Sequence, residues 1–383
     1  MTIQMMPWRL ENLQATIDGF RASGSMLATK VEGAYGKADV SDDPGLYLFA
    51  GPLGAWLGLD AAQAAALFFL ALLTIALVAG SLGVWRAFGT LGARGIGFVA
   101  LGALAVIAAK VGDVYIASAA VLMTSTPWLL VVVRGRAARP LLVFAAAAGL
   151  LAGMSNLVRS HSGTALVLVA IVAIALATWA PAKVRAIATV TLVVAMLVAP
   201  AGLSLIHRQR DAFLATVEQL PPIAASGHPL WHSVYIGLGY VPNDHGITYL
   251  DEVAFAYVQE RAPGVLSGSE ESEAILREEV FRLAKTDPGF IARGVGAKVG
   301  VIAVYLLVFA NVGLLAIVLA RPPWAELMPL LLGLAFTALP GILAIPAPNY
   351  LLGFIALSTL TGLVGIDSWL TRRAAPGTEV SDG

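Results

Sequence analysis

Nine stretches of the chain are almost uninterruptedly apolar: residues 61–85, 95–110, 114–133, 140–158, 163–180, 184–206, 297–319, 324–345 and 349–370. Each approaches the roughly 20 apolar residues that a helix needs to cross the hydrocarbon core of a bilayer. The pattern therefore predicts an all-α polytopic membrane protein with about nine transmembrane helices, in a range of eight to ten. The stretch at 95–110 is the shortest, and its terminal Lys110 has to snorkel toward the headgroups.

The segments between and before these stretches read differently. Over residues 8–29, Leu10, Leu13, Ile17 and Phe20 recur at three- and four-residue spacing, which predicts an amphipathic helix suited to lying on the membrane surface. Residues 46–59 are apolar but short and broken by Gly51, Pro52, Gly54 and Gly58, the pattern of an interfacial or re-entrant piece. Residues 207–296 have the polarity of a soluble domain, and a structureless loop of that length is uncommon. Short helices are expected at 251–261 and 269–285, the second with Ser267 and Glu270 at capping-box spacing. Asp287-Pro288 supplies an N-cap and first-turn proline for the helix that follows.

Basic residues orient these elements. Arg86 and Arg94, then Arg134, Arg136 and Arg139, then Lys183 and Arg185, then Arg321, and finally Arg372 and Arg373 mark alternate connections, whereas the opposite short loops offer Lys110 and Arg159. Positive residues mark the cytoplasmic side. The expected organisation is an extracytoplasmic segment at 1–60, a six-helix module at 61–206, an extracytoplasmic loop domain at 207–296, three helices at 297–370 and a cytoplasmic tail at 371–383. An N-terminus on the outer side implies either a further span upstream or unaided translocation.

Composition agrees with a membrane protein. Of 383 residues, 58% are hydrophobic and 13% charged, with a mean hydropathy of +0.82, against about a quarter charged in a soluble domain. Twenty-four basic and 24 acidic residues balance, which gives no electrostatic case for nucleic acid. The absence of cysteine excludes disulfides, thiolate metal sites and cysteine nucleophiles. The sequence also has no phosphate-binding glycine loop, serine-nucleophile elbow or HExxH motif.

Candidate chemistry gathers on the predicted outer side. Asp42 and Asp43 precede Pro44-Gly45, a turn that leaves both carboxylates free or simply leads into the next helix. Asp113 lies in a very tight connection, where it either caps the following helix or adds a carboxylate to that turn. Asn156 and Arg159 share one helix face, suited to a lipid phosphate or to ordinary snorkelling. His207, Arg208 and Arg210 form a basic cluster where the sixth span exits, and His161 lies on the same side. His228 and His232 have metal-pair spacing, but Pro229 and the lack of a glutamate argue against a metal site. Trp231, Tyr235 and Tyr240 are either apolar platforms for a sugar or packing residues of the loop domain.

The acidic pair Asp42-Asp43 followed by Tyr47, the acid Asp113 in the next outer loop, the Asn156 and Arg159 helix end, and a large outer domain before the last spans together resemble the GT-C superfamily of membrane glycosyltransferases. Its branches include protein O-mannosyltransferases and lipid A aminoarabinose transferases. The large domain follows the seventh helix in that family and the sixth here, an offset that one further upstream span would remove. Two departures stand out. The first acidic motif often reads Asp-Glu in the family, and the basic residue usual beside the late tyrosine is replaced by Pro348-Asn349-Tyr350.

The resemblance implies a GT-C-like bundle with an extracytoplasmic, mainly helical loop domain, and transfer of a sugar from a polyprenyl-phosphate-linked donor to an acceptor. Asp42, Asp43 and Asp113 would be the catalytic carboxylates. Asn156, Arg159, His161, His207, Arg208 and Arg210 would hold the lipid phosphate, and His228, Trp231, His232, Tyr235 and Tyr240 the acceptor or sugar. No cofactor is required, a divalent cation is optional, and the partners are the donor and membrane lipids. A transporter or flippase of a lipid-linked substrate is the competing reading, and it calls for coupling charges deep in the spans. A non-enzymatic assembly subunit leaves Asp42 and Asp43 unexplained.

Overall fold

The computed structural model describes residues 2–38, 44–220 and 230–374. At the N-terminal end come α1 (Pro7–Ser23), the strands β1 (Ala28–Val31) and β2 (Ala34–Lys37), and α2 (Pro44–Leu57). The bundle follows as α3 (Ala61–Ala87), α4 (Leu91–Val111), α5 (Ile116–Gly135), α6 (Ala138–Val158), α7 (Thr164–Leu176) and α8 (Ala182–Leu214). The loop domain contains α9 (Leu230–Gly237), a 3-10 turn (Leu238–Tyr240), α10 (Asp251–Arg261) and α11 (Glu270–Thr286). The chain closes with α12 (Pro288–Ala310), α13 (Val312–Ala320), α14 (Trp324–Leu343) and α15 (Leu352–Ala374). Eight of these helices are long and apolar enough to cross a membrane, and α7 is a shorter apolar helix.

The course of α6 and α8 shows why α7 belongs in the bundle. Gly149 and Gly153, one helical turn apart on α6, abut the carbonyls of Leu192 and Met196 on α8, so the two helices run parallel. The chain must cross the bundle between them, and α7 makes that crossing. Small residues at four-residue spacing allow such close backbone approach where lipid offers no hydrophobic drive for association. At the centre stand α5 and α15, buried along most of their length, whereas α8 and α12 face outward.

One end of the bundle is tied by charge. Arg134, at the end of α5, donates to Asp367 Oδ2 of α15 at 2.6 Å, to Glu326 Oε2 of α14 at 2.8 Å and to the Ala87 carbonyl of α3 at 2.6 Å. Gly89 N–H donates to the other Asp367 oxygen at 3.0 Å. Four helices thus meet in one buried clasp on the arginine-rich end.

The other end carries the N-terminal elements and the loop domain. Asp60 caps α3 with Gln63 in a reciprocal capping box, and Gln14 of α1 accepts from Ala61 N–H at 3.0 Å. The two strands form a hairpin around Glu32-Gly33, both at positive φ, as a two-residue type I′ turn requires. Tyr35 of that hairpin exchanges backbone hydrogen bonds with Glu218 and Leu220, and Lys37 pairs with Asp211 at 3.2 Å. The N-terminal segment and the start of the loop domain therefore share one end. In the loop domain, Glu273 accepts from Trp231 and His232 N–H at 2.7 and 2.9 Å, capping α9. The domain's core (Tyr235, Ile236, Ile247, Ala254, Val258, Leu276, Leu283) includes Phe290 from the first turn of α12.

Several local expectations change. The amphipathic helix α1 buries Leu13 and Ile17 against α2 and β1 instead of lying on a lipid surface, and the β-hairpin was not expected from the sequence. Residues 46–57 are helical despite Pro52, within α2. The stretch 163–180 is helical only to Leu176, ahead of Pro181, which biases Ala180 away from helix. The stretch 297–319 is two helices, broken at Asn311 (φ 33°), which caps Val312 N–H with its own side chain. Ser269 rather than Ser267 caps α11, accepting from Ser272 N–H at 3.2 Å.

The parallel seam makes a testable demand. Gly153→Leu should separate α6 from α8 and cost on the order of 1–3 kcal/mol, as overpacking does. The midpoint for heat-induced loss of monodispersity in detergent should fall by several degrees. Gly202→Ala on α8, where an added Cβ meets nothing within 4 Å, should leave it unchanged or raised.

Candidate functional site

The tight connection from α4 to α5 is the heart of the loop-domain end. Gly112 terminates α4 at φ 59°, and its missing side chain makes room for residues Thr2–Gln4, with Gln4 N–H donating to the Gly112 carbonyl at 3.1 Å. The chain's first residues thus cover the next position, Asp113, which is 8% exposed. Arg9 reaches it from α1, itself 7% exposed, with Nη1 at 3.4 Å from Asp113 Oδ2. The other carboxylate oxygen accepts from Val114 N–H at 2.7 Å. A buried carboxylate that lost its cation would be strongly destabilising, so this ion pair fixes α1 over the connection.

Two residues on, Tyr115 joins a second group. Arg159, just beyond α6, lays its guanidinium 4.8 Å from the Tyr115 ring centroid and donates from Nη2 to the Tyr115 hydroxyl at 3.2 Å. Tyr350, from the α14–α15 connection, meets the Tyr115 ring edge-on at 5.1 Å. Tyr249, from the loop domain, donates its hydroxyl proton to the Tyr350 oxygen at 2.9 Å. Burial pushes the Tyr115 and Tyr249 phenols well above their ordinary range, against the opposing pull of Arg159 and Arg9 at Tyr115. At neutral pH both are therefore hydrogen-bond donors. One guanidinium with a row of protonated phenols is a set of donors suited to anionic oxygens.

Asn156 supports the arginine's turn, its Oδ1 accepting from Gly163 N–H at 2.7 Å, and His161 lies exposed in that turn at φ 69°. Asp42, Asp43 and His228 lie outside the described residues. His207 is half-buried on α8 and Arg208 exposed. Arg210 is buried and pairs with Asp211 at 2.9 Å, the same carboxylate that meets Lys37 of the hairpin. His232 pairs with Asp251 at 2.9 Å, and this hydrogen bond holds the Asp251 carboxyl below its usual range. Trp231 packs on Phe281, Tyr235 is buried in the loop-domain core, and Tyr240 is half-buried at the end of its 3-10 turn. Of the residues singled out in the sequence, Asp113 and Arg159 share this cluster.

Arg9, Tyr115 and Tyr249 carried no signal of their own, beyond the position of Tyr115 two residues after Asp113. Lys298, which the sequence did not single out, lies inside α12, 3% exposed. It donates to the Ile342 carbonyl at 2.9 Å, one of the last carbonyls of α14 and so lacking a helical partner. Among the described residues no three His, Asp or Glu side chains converge to hold a metal.

No protein-family model and no curated protein matches the chain. Two solved structures of ArnT from Cupriavidus metallidurans are similar in shape. The apo form has a TM-score of 0.40 and 16% identity over 96% of this chain and 74% of that one. The form bound to undecaprenyl phosphate has a TM-score of 0.38 and 12% identity over the same shares. At these scores the chemistry has to be argued from this chain's own residues.

The Arg9–Asp113 pair supports a double-mutant cycle. Arg9→Met alone should cost about 3–5 kcal/mol, because it leaves a buried charge. Arg9→Met with Asp113→Asn should cost clearly less than Arg9→Met alone, read from thermal midpoints in one detergent. Additive losses would mean that the two side chains do not interact.

Proposed function

We propose that this protein is an integral membrane glycosyltransferase that takes a sugar from a polyprenyl-phosphate-linked donor and places it on an acceptor at the extracytoplasmic face. The observation that carries this reading is the Arg159–Tyr115–Tyr350–Tyr249 row beside the buried Asp113. A transferase of this kind has to hold a lipid phosphate at the membrane boundary and present a carboxylate to a hydroxyl. The arginine asymmetry between alternate connections supports the outer location.

In the proposed reaction Asp42 or Asp43 is the general base. It takes the acceptor's hydroxyl proton as that oxygen attacks the anomeric carbon. The bond from the anomeric carbon to the phosphate oxygen breaks, and the polyprenyl phosphate leaves with the electron pair. Displacement in one step inverts the anomeric configuration. Arg159 and the protonated phenols stabilise the charge growing on the phosphate, without the solvent reorganisation that water would need. Asp113, buried and paired with Arg9, acts by positioning the connection that carries Tyr115. His161, His207, Arg208 and Arg210 extend the basic rim toward the lipid headgroups, and Trp231 and Tyr240 offer aromatic faces to the sugar or acceptor. The divalent cation stays optional.

The test is transfer from a radiolabelled polyprenyl-phosphate sugar by the purified protein. Asp42→Asn or Asp43→Asn should abolish turnover while thermal stability is kept. Arg159→Gln should raise the donor KM by about 10- to 100-fold, the loss expected for a hydrogen bond to a charged group. If Asp42→Asn, Asp43→Asn and Asp113→Asn all transfer sugar at the parent rate, the enzymatic reading fails and transport of a lipid-linked substrate replaces it.

A further inference from the structure

A second site lies at the opposite, arginine-rich end of the bundle and is independent of the reaction proposed above. Leu77, Val78, Ser81, Leu82 and Trp85 recur at one- and four-residue steps along α3, forming one wall of a crease. Phe98 of α4 forms the other wall, and the space between is about 560 Å³. The sequence explains the hollow. Phe98 is flanked on α4 by Gly95 and Gly102, where an added Cβ would meet nothing within 4 Å, so the α4 surface drops away on both sides of the ring. The Trp85 and Phe98 rings stack 6.5 Å apart at 8°, leaving a flat aromatic floor. Val78, Leu82, Trp85 and Phe98 are all exposed, and α3 and α4 are outer helices of the bundle, so the crease opens to the bilayer.

Charge at its mouth selects the occupant. Arg94 stacks its guanidinium 4.4 Å over Trp85 and donates from Nε to the Phe88 carbonyl at 2.9 Å, which leaves both Nη groups available. Arg86 lies on the other flank of α3, over Trp128 of α5 at 5.9 Å. Among the described residues neither arginine has a carboxylate partner, because Glu326 and Asp367, the acidic residues of this end, are both held by Arg134. Ser81 adds a hydroxyl one turn above Trp85, within reach of an ester carbonyl. An apolar slot ending in an uncompensated arginine matches a lipid with acyl chains and a negatively charged headgroup. Basic pockets between helices on the cytoplasmic side take such headgroups.

We propose that the crease between α3 and α4 binds one anionic phospholipid, its acyl chain over Trp85 and Phe98 and its phosphate held by Arg94. The test is native mass spectrometry of the detergent-purified protein titrated with phosphatidylglycerol or phosphatidylcholine. One phosphatidylglycerol adduct should persist at activation energies that strip phosphatidylcholine. Arg94→Gln should weaken it about fivefold, the effect of one arginine near a lipid headgroup. Ser81→Phe, which fills the slot and keeps both arginines, should remove it. Arg139→Gln, an exposed arginine at the same end, should change nothing. The proposal is overturned if phosphatidylcholine is retained equally, or if Arg94→Gln and Ser81→Phe both keep the adduct. It is overturned as well if the species lost on substitution is a polyprenyl phosphate. Monodispersity of each variant separates loss of binding from loss of fold.

Discussion

In a bilayer, apolar helix faces gain little from leaving lipid for one another, so close backbone approach and buried polar ties have to hold a bundle together. Both devices recur in this protein. Gly149 and Gly153 bring α6 against α8, and Gly313 meets Gly362 where α13 crosses α15. Arg134 then gathers α3, α5, α14 and α15 at one end. With that end fixed, the far ends of the same helices have little freedom in where they present their connections. The placement of Tyr115 and Tyr350 follows in part from this packing at the far ends of α5, α14 and α15.

The polar cluster illustrates how costly groups become useful in company. A lone Asp113 or Arg9 at this depth would bear a desolvation penalty that nothing offsets. Paired, they pin α1 over the connection that carries Tyr115. The tyrosines come from three separate connections, and burial keeps the protons on Tyr115 and Tyr249. That combination gives a site rich in donors without a high density of charge. Such a site can receive an anion from the bilayer without holding a permanent water-filled cleft.

Much of the architecture was legible because transmembrane helices are read from length and apolarity alone. Asp113 and Arg159 stood out for a similar reason, as charges in apolar surroundings. Arg9 did not, since its partner is 104 residues away and α1 carries several other polar and charged residues. Tyr115 and Tyr249 were silent because tyrosine is common at membrane boundaries whatever its role. Periodicity showed that α1 has an apolar face but not whether protein or lipid would cover it. The break at Asn311 was hidden because asparagine tolerates positive φ, and the nearby Gly313 also serves the close contact with Gly362. The early end of α7 was hinted at only by Pro181.

The shared membership of Phe290 has a mechanical meaning. Because this ring belongs both to the loop-domain core and to the first turn of α12, the domain has no slack joint where it enters the membrane. Farther down the same helix, Lys298 grips the end of α14, from which the chain runs on to Tyr350. Any tilt of the domain is therefore delivered through α12, as through a lever arm, to the stretch that holds the tyrosine.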